Sequence, residues 1–247
     1  MLDNRIVKVK VQGDYACFTR PDLKVERMSY PCMTPSAARG ILDSILWKPE
    51  FQWFVRRIQV LKPVRFAAIK RNEIKTKQGR TPILIEDKRA QRNSIVLRDV
   101  AYIIEASIYQ KEKDNKNRPE KYIGRKGIDA ENDGIFTRRL KKGQCWRRPY
   151  LGTREFSAEF TLPDESETPI QETIPIGSML FDIFYDENGK PQPLFFHDVA
   201  IRDGILDCEE APESKKMLDS SHLRPLIDSE TSALIYDFTA QEEEAAL

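Results

Sequence analysis

Two histidines, His197 and His222, are all that the 247-residue chain contains. Both lie beyond residue 190, so everything before them has no imidazole for acid–base work. Cysteine is sparse as well. Cys17, Cys32, Cys145 and Cys208 form no CxxC pair, which argues against a structural zinc site. Four scattered thiols fit a reducing cytoplasm better than a disulfide framework. No metal and no cofactor are expected. Long apolar runs are missing too. Those present are short, such as Ile95-Val96-Leu97 or Tyr102-Ile103-Ile104, far short of the roughly 20 residues that span a bilayer. The start, MLDNRIVKVKV, goes straight into alternation without a signal-peptide apolar block.

Basic residues are what the rear of the chain lacks. Residues 1–150 carry 34 Lys+Arg and 17 Asp+Glu, a net of +17, and the remainder carries 6 and 22, a net of −16; together they give the chain's +1. Such asymmetry points to a front half that binds nucleic acid and an acidic rear. The densest basic piece is 131–150, ENDGIFTRRLKKGQCWRRPY, in which cations alternate with aromatics as in a polyanion grip.

Local patterning gives an order of elements. Residues 6–12, IVKVKVQ, alternate like a half-buried strand, with a turn expected at Gly13-Asp14 before a second extended piece, YACF. Thr34-Pro35-Ser36 opens a helix through SAARGILDSILW, whose apolar positions recur at helical spacing. Residues 51–70 are extended with a break at Pro63. Residues 71–98 are strongly basic, and either a long hairpin or a disordered arm fits them. Strand character returns over 95–109. GIFTRRLKKG reads as a short basic helix closed by Gly143, and 154–162 alternate again. The order is βαββαβ, the ferredoxin-like motif used by RNA-recognition domains. The fold expected is thus α+β. It comprises a ferredoxin-like, RRM-like domain over 1–162 with a hairpin insertion (71–98), then a small antiparallel β domain over 163–206 with a turn at Asn188-Gly189. An acidic, partly flexible tail follows over 207–247.

Three separated blocks, GDYACFTRPDLKVERMSYPCMTPSAARGIL (13–42), IQVLKPVRF (58–66) and RRLKKGQCWRRPYLGTREF (138–156), together resemble the CRISPR-associated protein family five, d subtype, of type I-C surveillance complexes (Cascade), within the RAMP superfamily. The resemblance runs through about residues 5–206. It implies a subunit that binds the repeat-derived stem-loop of CRISPR RNA and keeps hold of its 5′ handle. It also implies contact with family-seven backbone subunits and the large family-eight subunit, with target DNA met indirectly through the complex. This subtype, by resemblance, also cleaves precursor RNA without metal, the 2′-hydroxyl attacking the adjacent phosphate.

That cut needs a base, an acid and positive charge at the phosphate. The family's Tyr or His before Trp-Lys-Pro falls here on Leu46, and its Lys-His pair falls on Glu131 and Asn132. Leu46 transfers no proton, Asn132 none near neutral pH, and Glu131 carries the wrong sign. Lys121, Tyr122 and Lys126 are candidate substitutes, with ordinary loop residues as the alternative. Whether the chain is an enzyme stays open at this point. For RNA contact the candidates are Arg20, Lys24, Lys48, Arg71, Lys75, Lys77, Arg80, Arg138, Arg139, Lys141, Lys142, Arg147 and Arg148. Trp146 and Tyr150 either stack on bases or pack in the core. His197, in LFFHDV, reads as a strand or surface residue, and Cys145 as a small packed one.

Overall fold

The computed structural model describes residues 2–23, 25–49, 51–77, 79–110, 120–123, 134–185 and 190–209. The largest unit among them is one six-stranded antiparallel sheet. Strand β1 (Val7–Ala16) leads to helix α1 (Pro35–Ile45), then to β2 (Phe51–Val60) and β3 (Phe66–Ile74). A single turn, α2 (Ile85–Lys88), precedes the long β4 (Arg89–Gln110). After α3 (Glu120–Ile123) and α4 (Ile135–Lys142) come β5 (Glu159–Thr161), β6 (Ile174–Tyr185), β7 (Pro191–Ile201) and β8 (Ile205–Asp207). The main sheet has the order β5-β1-β4-β2-β8, β3 pairs only with the first part of β4, and β6 and β7 form a separate two-stranded sheet. The architecture is mostly antiparallel α+β.

One face of the main sheet makes the core. Val7, Val9 and Val11 of β1 and Tyr102, Ile104, Ala106 and Ile108 of β4 are buried in it, as the two-residue period of strands requires. Helix α1 covers them with Ala38, Ile41, Leu42 and Ile45. Thr34 caps that helix, its side chain accepting from the Ala37 N–H at 3.2 Å, and Pro35 supplies the fixed first-turn φ. Helix α4 adds Phe136 and Leu140, with the Phe136 ring 4.8 Å from that of Trp53.

The other face of the sheet is polar and charge-compensated. Lys8 meets the buried Glu105 at 2.8 Å, and Gln59 donates to the same carboxylate at 2.9 Å. Lys10 pairs with Glu167, Gln12 donates to Glu159 at 3.1 Å, and Arg57 reaches Asp207 at 3.2 Å.

The turn expected at Gly13-Asp14 is absent, because β1 runs on through it to Ala16, pairing Gly13 with Val100. The glycine serves a close approach instead. A Cβ at position 13 would meet Leu151 Cδ1 at 2.7 Å, so the loop after α4 can lie on the strand only where no side chain intervenes. The basic stretch around 71–98 is a hairpin through its β3–β4 pairing, Phe66–Ile74 against Arg89–Leu97. The expected turn at Asn188-Gly189 lies outside the described residues. The β6–β7 pair is fastened to α1 by Arg39, whose guanidinium grips both oxygens of the buried Asp182 at 2.6 and 2.7 Å and also reaches Asp43 at 3.1 Å.

Candidate nucleic-acid interface

A helix ends with carbonyls that have no partner within it. At the end of α1 those carbonyls organise the basic segment. Ser44 O accepts the backbone N–H of Trp146 at 2.9 Å and of Arg147 at 3.1 Å. Ile45 O accepts the Arg139 guanidinium, and Leu46 O takes the Trp53 indole N–H at 2.8 Å. Helix α4 itself ends at Gly143, whose φ of 60° is the left-handed cap conformation, and Gln144 N bonds back to Arg139 O at 2.9 Å. The chain therefore leaves α4 sharply and lies across the C-terminus of α1.

With Phe136 and Leu140 facing inward, Arg138, Lys141 and Lys142 face out. Trp146 is 64% exposed, and the Arg147 guanidinium stacks over its ring at 4.6 Å. Arg138, Lys142, Arg147 and Arg148 enter no salt bridge among the described residues. Tyr150 is 39% exposed. Exposed cations beside exposed aromatics are what a single-stranded nucleic acid needs, charge for phosphates and flat rings for bases.

The expected site residues thus fall into groups. Arg138, Lys141, Lys142, Trp146, Arg147, Arg148 and Tyr150 are all exposed along α4 and the segment after it. Arg139 belongs to the same segment but is spent on the helix end. Lys48, half-buried two residues past Leu46, is next to it in sequence. Lys75, Lys77 and Arg80 are exposed towards the turn of the β3–β4 hairpin. Arg71, by contrast, is 11% exposed and bonded on every side, to Ser94 Oγ at 3.1 Å, Glu73 at 2.7 Å and both Glu155 oxygens at 2.7 Å. Arg20 pairs with Asp22 at 2.9 Å and lies 5.9 Å from the Tyr30 ring centroid. Lys24, Lys126, Glu131 and Asn132 lie outside the described residues.

Leu46, where the resemblance places a proton-transfer residue, is completely buried in the core. Tyr122 is buried as well, its ring 5.1 Å from Phe51. Lys121 is exposed, its ammonium 5.9 Å from the Tyr122 ring centroid. Two buried thiols are held inert. Burial pushes the Cys32 thiol up to about 12, and Cys208 is raised well above its usual value by burial and by Cys32 and Asp207 nearby. His197 lies on β7 with Nδ1 2.8 Å from Ser178 Oγ, both exposed. Among the described residues no three of His, Cys, Asp and Glu are grouped to hold a metal ion, and no helix is long and apolar enough to cross a membrane.

Sequence reasoning missed Arg39 and Asp182, whose pairing spans 143 positions. It also missed Trp47, 40% exposed beside the buried Leu46. The small residues of SAARG were a visible signal for open space along α1, and they were read only as helix formers.

The family Cas_Cas5d, described as CRISPR-associated protein (Cas_Cas5), matches residues 6–208. A protein of Thermus thermophilus named CRISPR pre-crRNA endoribonuclease Cas5d is 45% identical over 218 residues, 81% of this chain and 90% of that one. A protein of the same name from Mannheimia succiniciproducens is 38% identical over 228 residues, 83% and 94% of the two chains. A solved structure titled as a CRISPR-associated protein shares the fold, with a TM-score of 0.56 at 23% identity over 84% of this chain and 95% of that chain. The family match and the two relatives show that the chain belongs to the Cas5d family.

Proposed function

We propose that the chain is a CRISPR RNA-binding subunit of a type I-C Cascade complex, holding the repeat-derived 5′ handle at one end of the assembly in the cytoplasm. The observation that carries this reading is the exposed Trp146–Arg147 stack set among Arg138, Lys142 and Arg148, fastened by its main chain to the end of α1. Residues 1–162 act as a ferredoxin-like, RRM-like domain. The order β5-β1-β4-β2, with α1 and α4 in the two crossovers, supports that arrangement. The hairpin within 71–98 serves as a thumb towards family-seven backbone subunits. The β6–β7 sheet makes the smaller domain within 163–206, and 207–247 supplies an acidic tail towards the family-eight subunit.

A second reading, cleavage of the precursor RNA, is favoured by the names of the two relatives. In that reaction the 2′-oxygen loses its proton to a base and attacks phosphorus. The P–O5′ bond breaks, and the departing oxygen takes a proton from an acid. Of the described candidates, Lys121 alone presents its group to solvent. Incubating the protein with labelled repeat RNA in EDTA separates the readings. Retained binding without a product supports a grip alone. A discrete product that disappears with a 2′-deoxy substitution at the cut site establishes the enzyme.

A further inference from the structure

Alongside the basic segment a cleft of about 290 Å³ opens between the outer face of α1, the loop at Gly152 and Leu180 of β6. We propose that this cleft takes one unpaired base of the bound RNA, an inference that rests on the RNA-binding reading above.

Three observations carry it. The cleft is lined by no charged side chain, and five of its lining residues, Thr19, Thr34, Ser36, Ser44 and Tyr150, carry hydroxyls. A neutral, hydroxyl-lined slot suits the edges of a base and does not suit a phosphate, which draws cations. Its size is at the low end of the about 300–1,000 Å³ typical of small-molecule pockets, enough for one extruded base and too little for a duplex. Secondly, the basic segment is tied by its main chain to a residue that lines the cleft. Ser44 lines the cleft, and its carbonyl is the atom that holds Trp146 and Arg147 in place. Tyr150, two residues after Arg148, is exposed and also lines the cleft. A strand whose phosphates follow Arg147 and Arg148 would have the cleft within one nucleotide's reach.

The third observation is Gly40. It lies inside α1, where glycine is entropically unfavourable, and a Cβ there would meet nothing within 4 Å. No tight contact demands the glycine. What its missing side chain preserves is the open space of the cleft, and Ser36, Ala37 and Ser44 keep the rest of that helix face small. Ser44 Oγ already donates to Gly40 O at 2.7 Å, which leaves its lone pairs to accept from a base amino group.

The test uses fluorescence anisotropy with labelled repeat RNA, intact or carrying a single abasic site at each position in turn. Gly40→Leu is expected to melt at or above the wild-type temperature and to bind intact RNA about tenfold more weakly, the scale of one lost base stack. One abasic position should weaken wild-type binding by a similar factor and have no further effect on Gly40→Leu. Tyr150→Ala, at an exposed position, should show the same loss of discrimination should Gly40→Leu fold poorly. Arg148→Ala should instead weaken every RNA equally. Wild-type affinity in both cleft variants, or equal effects of all abasic positions, would overturn the proposal while leaving RNA binding intact. Failure of the wild-type protein to bind RNA would overturn both.

Discussion

The helix-free face of the sheet spends its lysines and arginines on carboxylates, and the surface along α4 does not. On the helix-free face of the sheet, Lys8, Lys10 and Arg57 each meet a carboxylate, Gln59 shares that of Lys8, and Gln12 ties up one more. Along α4 and the segment after it, Arg138, Lys142, Arg147 and Arg148 meet none among the described residues. Cation counts in the sequence do not distinguish the two. Paired charges hold the fold together and leave little field outside it, whereas unpaired ones add little to stability and project a field that a polyanion feels. The sheet face is compensated, and the surface along α4 is not.

The sharpest way to test the stabilising half of this contrast is Arg39→Ala. It removes the guanidinium that neutralises Asp182, which is 4% exposed, and should cost about 3 kcal/mol in a urea titration. On the other surface, Arg138→Ala, Lys142→Ala and Arg148→Ala combined should leave the melting temperature nearly unchanged. The slope of log affinity against log salt should become shallower by about 2, at roughly 0.7 per lost single-strand phosphate contact. An unchanged slope would remove the segment from the interface. Leu46→Tyr, which places the family's proton-transfer side chain at this position, should destabilise by about 1–3 kcal/mol through overpacking without creating a cleavage product, since that side chain points into the core.

A smaller effect is expected with acid. Burial pushes the Asp3 carboxyl up, but hydrogen bonds from the Arg5 side chain and backbone and the charges of Arg5 and Arg56 outweigh it and hold the pKa below 3.8. The folded state thus favours the carboxylate. Its contribution is complete above the unfolded value and is lost as pH falls through the folded one. Asp3→Asn should therefore be less stable than wild type at neutral pH, with the gap closing below about pH 4. Smallest of all, Arg57→Gln, at the exposed pair with Asp207, should cost below about 1 kcal/mol and leave RNA affinity within twofold. A clear loss of RNA binding there would erase the contrast between the two faces.

What the sequence disclosed was whatever its signals carry locally. Thr34-Pro35 and the spacing of Ile41, Leu42 and Ile45 announced α1, and Gly143 announced the end of α4. The basic segment stood out by composition alone. What stayed hidden depended on partners far along the chain. Gly13 reads as a turn until Leu151 is seen lying on it. Arg71 reads as an RNA contact until Glu155 closes on it. Nothing local marks Ile205–Asp207 as a strand of the main sheet, beyond β2. Leu46 could be recognised as a poor catalyst from its chemistry, but its burial follows from the whole core.

The fastening of the basic segment to α1 is largely a main-chain affair: two N–H groups, of Trp146 and Arg147, on one carbonyl. Main-chain bonds are indifferent to which side chains surround them. Residues 146–148 are therefore a cassette, whose outward groups can be exchanged to suit a different RNA while the clasp that presents them stays the same.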